Sequence, residues 1–92
     1  MAPLPEPEIT LLLSSLPLWT IESGELVRTF VFSDFRAAIS FVNQVADLAE
    51  QAGHHPDIDI RYNKVRLALV THDAGGLTAK DFDLAFQAER AA

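Results

Sequence analysis

The sequence predicts an α+β fold, a two-layer sandwich in which a four-stranded antiparallel sheet carries three helices on one face in the order αββαββα. Two observations lead to this prediction. Each pair of strand-like segments is joined by a short turn, Ser23-Gly24 or Asn63-Lys64, which suits an antiparallel hairpin and is too short for a parallel crossover. The remaining apolar stretches repeat at helical spacing, so the helices are expected to cover the sheet as a second layer.

The helices are indicated by apolar stripes and by the residues that start and stop them. A first short helix is expected around Ile9 to Leu16, and Pro17 marks its end. A second begins after Ser33, a favourable N-cap, and stops at Gly53, where a residue with positive φ is commonly required. Its apolar stripe consists of Phe35, Ala38, Ile39, Val42, Val45, Ala46 and Ala49. That stripe predicts that the second helix packs on the sheet.

Four segments have the composition of strands. Trp19 to Glu22 and Leu26 to Phe32 form the first expected hairpin. Ile58 to Tyr62 and Val65 to Thr71 form the second. Apolar and polar residues alternate along the third strand, which is typical of a strand with one buried and one solvated face.

The register of the second hairpin decides where the three histidines lie. A turn at Asn63-Lys64 brings His55 level with His72. Pro56 cannot donate to a ladder, so regular pairing is expected to stop before His54 and His55. The three imidazoles should therefore gather at one open edge of the sheet. The same register pairs three sets of apolar residues: Tyr62 with Val65, Ile60 with Leu67, and Ile58 with Leu69.

Composition limits what the chain can be and what it can bind. Its 92 residues suit a single domain over 1–92, with a loose, proline-punctuated segment over 1–7. Thirteen acidic against seven basic residues give a net charge of -6, which disfavours direct binding to nucleic acid. The lack of cysteine excludes disulfides and thiolate chemistry. No run is apolar enough to cross a membrane or act as a secretion signal, so a cytoplasmic protein is expected.

Three imidazoles at one edge suit two kinds of chemistry. Imidazole has an unperturbed pKa near ~6.5, so histidines can donate and accept protons at neutral pH, as general acid–base catalysis requires. Three histidines can also hold zinc with one coordination position open. Glu50 lies one helical turn before His54 and is placed to orient an imidazole in either case. Sequence spacing does not separate the two alternatives.

Two residues near the expected site have simpler structural explanations. Thr78 and Asp81 have the spacing of a capping box, so Asp81 is expected to cap the final helix without any ligand. Tyr62 closes a strand-like apolar pattern and is expected to be a core or rim aromatic, not a stacking platform.

A set of residues with fixed spacing runs through the second half of the chain. It consists of Glu50, His54-His55-Pro56, Tyr62, Thr71-His72-Asp73, Gly75-Gly76-Leu77-Thr78 and Asp81. In this spacing the chain resembles the pterin-4a-carbinolamine dehydratase family, from about Leu11 to about Glu89. Leu18 and Gly53 depart from the family pattern, and Gly53 lies where a contact at the pocket rim could change.

The resemblance implies an enzyme that removes water from a 4a-hydroxytetrahydropterin and gives the quinonoid dihydropterin, without a cofactor or a metal. One group must protonate the leaving hydroxyl while another removes a proton from a ring nitrogen. The resemblance implies that His54, His55 and His72 line the pterin, with His55 or His72 transferring protons. It also implies that Glu50 holds His54. The remaining substrate-binding positions are Val70, Thr71, Asp73 and Pro56.

The expected partners follow from the sheet edge and from the resemblance. An unpaired strand edge favours pairing with a second copy, so a homodimer or homotetramer is expected. The resemblance also implies a functional link to an aromatic amino acid hydroxylase through recycling of tetrahydrobiopterin. The alternative class is a dimerisation or coactivator adaptor, which would not need the histidines.

Overall fold

The computed structural model describes residues 2–92 and confirms the predicted α+β order. The elements are α1 (Glu6–Leu13), β1 (Thr20–Glu22), β2 (Glu25–Val31), α2 (Phe35–Ala52), β3 (Asp57–Arg61), β4 (Lys64–Leu69) and α3 (Ala79–Ala91), with a 3-10 turn at His72–Ala74. The α-helices share one hydrophobic core with the inner side of the sheet. Within residues 2–92, none of the helices is long and apolar enough to cross a membrane.

The core forms between the two central strands and the helices. The strand order is β1-β2-β4-β3, and every neighbouring pair is antiparallel. The Phe30 ring on β2 lies 4.6 Å from the Phe41 ring on α2 and 5.9 Å, edge-on, from the Trp19 ring. Trp19 is buried, as expected for a core aromatic. The contact between Phe30 and Phe41 packs α2 against the centre of the sheet.

The start of α2 differs by one residue from the prediction. Asp34, not Ser33, is the N-cap, and its Oδ1 accepts a hydrogen bond from the Ala37 N–H at 2.8 Å. Both residue types make good N-caps. Asp34 takes the position because its extended backbone lets the carboxylate fold back onto the first turn.

The turn of the second hairpin also lies one residue earlier than predicted. Tyr62 and Asn63 form it, and Arg61 and Lys64 are the last pair of the ladder. Asn63 is held by the neighbouring strand. Its side-chain amide donates to the Phe32 carbonyl oxygen at 2.8 Å, and the Phe32 N–H donates to the Asn63 carbonyl oxygen at 2.9 Å. These hydrogen bonds across the sheet fix the turn.

The predicted register of this hairpin is therefore wrong by two residues. The structure pairs Ile60 with Val65, whereas the prediction paired Ile60 with Leu67. A shift of two residues keeps every side chain on its own face of the sheet. It does move the histidines, because the observed register, extended past β3, leaves His55 two residues away from the level of His72.

The edge strand β3 is more exposed than its alternating pattern predicted. All five of its residues are exposed, including Ile58 and Ile60. Both isoleucines are paired with buried residues of β4 and so lie on the helix side of the sheet. The expectation of a buried face is wrong because β3 lies at the edge of the sheet, outside the hydrophobic core.

Candidate active site

The end of α2 places the two adjacent histidines. Gly53 has a φ of 62°, in the left-handed region, as predicted. The N–H groups of Gly53 and His54 donate to the carbonyl oxygens of Glu50 and Ala49 at 3.3 and 3.1 Å. This pattern ends the helix and turns the chain away from its axis. The His54 side chain is consequently 11% exposed and that of His55 63% exposed.

His54 is held by a carboxylate from α3. Its Nε2 lies 2.6 Å from Oδ1 of Asp81, a residue with no exposed surface. The other carboxylate oxygen, Oδ2, accepts from the Thr71 hydroxyl at 2.8 Å and from the Thr78 N–H at 2.9 Å. Because an ionised carboxylate only accepts hydrogen bonds, His54 donates from Nε2. Within residues 2–92, its Nδ1 makes no hydrogen bond.

Two threonines complete this buried network. Because Thr71 donates its hydroxyl proton to Asp81, its oxygen accepts from the Thr78 hydroxyl at 2.8 Å. Thr78 Oγ1 also accepts from the Lys80 N–H at 3.3 Å. The predicted capping box of Thr78 and Asp81 is confirmed. The spacing of Thr78 and Asp81 predicted only that capping role, but the same carboxylate also orients His54.

Glu50 contacts His55 and not His54. Its Oε2 lies 2.5 Å from Nε2 of His55. The prediction that Glu50 holds His54 is wrong, because the turn at Gly53 brings the second histidine, not the first, back to the last turn of α2. Both side chains are more than half exposed, so water weakens this contact.

All three histidines line one cavity of about 260 Å³. Its lining residues are Gly53, His54, His55, Val70, Thr71, His72, Asp73 and Lys80. His72 is the first residue of the 3-10 turn after β4. This turn brings His72 to the cavity, although His72 is not level with His55 in the hairpin register. Pro56 and Tyr62 do not line the cavity.

Lys80 is the lining residue that the sequence did not single out. It lies in the first turn of α3, between the two residues of the capping box. The capping box was the available signal, because it locates the first turn of α3, in which Lys80 lies. Among residues 2–92, no three His, Asp or Glu side chains are arranged so that they could hold a metal ion.

These features define a small α+β protein with a histidine-lined cavity. A family model described as pterin 4 alpha carbinolamine dehydratase matches residues 2–91. A protein of Acidobacterium capsulatum is 69% identical over 77 residues, which is 84% of each chain. One of Chloroflexus aurantiacus is 65% identical over 85 residues, 92% of this chain and 91% of the relative. Both relatives are provisionally named pterin-4-alpha-carbinolamine dehydratases.

A solved structure has the same fold as this chain. The Brucella melitensis protein described as a transcriptional coactivator/pterin dehydratase superposes with a TM-score of 0.94 at 34% identity, over 98% of both chains. The chain therefore belongs to the pterin 4 alpha carbinolamine dehydratase family. The resemblance seen in the sequence is confirmed.

Proposed function

We propose that this chain dehydrates 4a-hydroxytetrahydropterins to quinonoid dihydropterins by histidine acid–base catalysis. The observation that carries the proposal is that three imidazoles with different surroundings share one cavity. His54 is bonded to a buried carboxylate and His55 to an exposed one, whereas His72 makes no side-chain hydrogen bond within residues 2–92. Such inequivalence suits a reaction that needs one proton donor and one proton acceptor.

The reaction requires two proton transfers and no exchange of electrons with another molecule. The bond between C4a and oxygen breaks as the leaving hydroxyl gains a proton, and a ring nitrogen loses its proton as the C=N bond forms. His55 and His72 are the residues proposed for these transfers. In this proposal His55 donates from Nε2 to Glu50, and its Nδ1 is the atom that accepts a proton. His54, fixed by Asp81, is proposed to bind the pterin ring.

The polar edge of the pterin is proposed to bind the strand end that follows β4. Val70, Thr71 and Asp73 line the cavity there.

In this proposal the protein acts in the cytoplasm and returns dihydropterin for the recycling that an aromatic amino acid hydroxylase requires.

Protein that has been treated exhaustively with a chelator should keep its full dehydratase activity on a defined 4a-hydroxytetrahydropterin. Acid–base catalysis needs no Lewis acid, and the Nε2 atoms of His54 and His55 are already engaged by carboxylates. Turnover and metal content should be measured before and after chelation. Activity that is lost with the metal and restored by zinc would favour the three-histidine metal site. A wild-type protein without dehydratase activity would contradict the proposed function itself.

Self-association through the β3 edge is part of the same proposal, as a homodimer or homotetramer. β3 has one neighbouring strand, and its Ile58 and Ile60 are 37% and 39% exposed. Tyr62, in the turn that follows this strand, is 68% exposed. Apolar exposure along one strand edge favours an interface with a second copy.

Ile60→Lys should weaken this association, because it replaces an exposed apolar side chain on the helix side of the edge strand by a charged one. Asp59→Lys is the matched control, since it puts the same side chain on the opposite face of the same strand. Light scattering over a dilution series measures the oligomeric state. A wild-type protein that is monomeric throughout the micromolar range would contradict the oligomer.

An adaptor role is the second candidate, because the Brucella melitensis neighbour is described as both a coactivator and a dehydratase. Such a role would use a surface of the fold and leave the histidines dispensable. Two results together would favour the adaptor. The wild-type protein would show no dehydratase activity, and a variant without His55 and His72 would still bind the partner.

A further inference from the structure

The segment before α1 touches the loop that carries His72. The Leu4 N–H donates to the Leu77 carbonyl oxygen at 2.8 Å. A Cβ atom added to Gly76 would lie 3.0 Å from Cβ and 3.6 Å from Cγ of Pro3. Pro3 therefore packs so closely on Gly76 that a side chain there requires Pro3 to give way slightly.

The loop beneath this contact is closed by backbone hydrogen bonds. Thr71 and Gly76 form an isolated antiparallel bridge, with N–H to carbonyl distances of 3.2 and 3.4 Å. Inside the loop, the Ala74 N–H donates to the Thr71 carbonyl oxygen and the Gly75 N–H to the His72 carbonyl oxygen, both at 3.0 Å. The position of His72 therefore depends on how firmly the bridge is held.

The two sides of the bridge have different supports. On the incoming side, Thr71 is anchored through its hydroxyl to Asp81. On the outgoing side, Gly76 and Leu77 are contacted by Pro3 and Leu4. The N-terminal segment thus adds a second support to the outgoing side, where Thr78 is also bonded to Asp81.

We infer that Pro3 and Leu4 form a strap that positions His72, so that residues before the first helix contribute to the geometry of the active site. The kinetic consequence rests on the proposed function. The structural consequence, a tighter loop around His72, does not depend on any substrate. Small displacements of a catalytic group can lower rates strongly, which is why a peripheral contact can affect turnover.

Gly76→Ala tests the strap in the full-length chain. Gly76 does not have a left-handed φ, so alanine is compatible with its backbone and the added methyl group acts through Pro3. We expect kcat to fall by about tenfold with little change in KM. Pro3→Gly alone should lower kcat less than Gly76→Ala does, because the Leu4 hydrogen bond remains. The double variant Pro3→Gly/Gly76→Ala should recover the rate of Pro3→Gly, because the close contact is removed.

Amide exchange provides a measurement that does not need activity. In Gly76→Ala the Ala74 and Gly75 amides should exchange about tenfold faster, and the double variant should restore their protection. Unchanged exchange in Gly76→Ala would overturn the strap. So would a double variant as impaired as the single one, or a lower melting temperature with unchanged kcat. If the wild type shows no dehydratase activity, the proposed function fails while the exchange experiment still decides the strap.

Discussion

His55→Ala and His72→Ala are each expected to lower the rate of carbinolamine dehydration by about tenfold or more, the lower part of the range for a positioned acid or base. His72 lines the cavity without a side-chain partner in residues 2–92, and His55 is tied only to an exposed carboxylate. Neither side chain is needed for the core, so the loss should appear in kcat and leave the fold intact. Steady-state kinetics with melting curves for each variant make the measurement.

The double variant and His54→Ala complete this experiment. If His55 and His72 serve one proton-transfer step, the double variant should cost less than the product of the single effects. His54→Ala should mainly weaken pterin binding and also lower stability, because it leaves Oδ1 of Asp81 without its partner. Wild-type turnover in folded His55 and His72 variants would refute the catalytic assignment.

Asp81→Ala is expected to cost about 3 kcal/mol of stability, since it removes an N-cap interaction and leaves buried hydrogen-bonding groups unpaired. The Thr78 N–H loses its acceptor, and the His54 ring loses the oxygen that orients it. A loss of that size should lower Tm by more than about 10 °C in a chain of this length. Through His54, we also expect KM for the pterin to rise, which a purely capping residue would not cause.

Asp83→Ala is the matched control, because it removes the same side chain from an exposed position of α3. It should change neither Tm nor KM appreciably. Asp81→Asn keeps the size of the side chain but replaces one acceptor oxygen by a donor amide, so its loss should be smaller than that of Asp81→Ala. An Asp81→Ala protein with the melting temperature and KM of the wild type would show that the buried network is unimportant.

Local signals in the sequence were sufficient for the order of the elements and for two of the helix caps, but not for the N-cap of α2. Gly53 and the capping box of Thr78 and Asp81 depend only on neighbouring residues, and both are found as predicted. The register of the second hairpin could not be obtained in this way. It is fixed by Asn63 bonding to Phe32, a residue of the first hairpin that is distant in sequence.

The contacts of Asp81 with His54 and of Glu50 with His55 could not be predicted from the sequence, for a similar reason. The resemblance implies that Glu50 holds His54, and a spacing of four residues is one helical turn, but the helix ends between them. Asp81, which does contact His54, is distant in sequence and already had a sufficient explanation as a cap. Spacing along a chain identifies neighbours within one element, whereas this contact depends on how α3 packs against the end of α2.

The buried carboxylate of Asp81 gives the first turn of α3 and the orientation of His54 a common origin. If the last helix frays, Thr78 and Asp81 separate and the imidazole loses its anchor in the same step. Folding of the C-terminal helix and formation of the pocket are therefore expected to be coupled. A chain truncated before residue 81 would still contain His54 and His55. It would lack the carboxylate that gives the two histidines different surroundings.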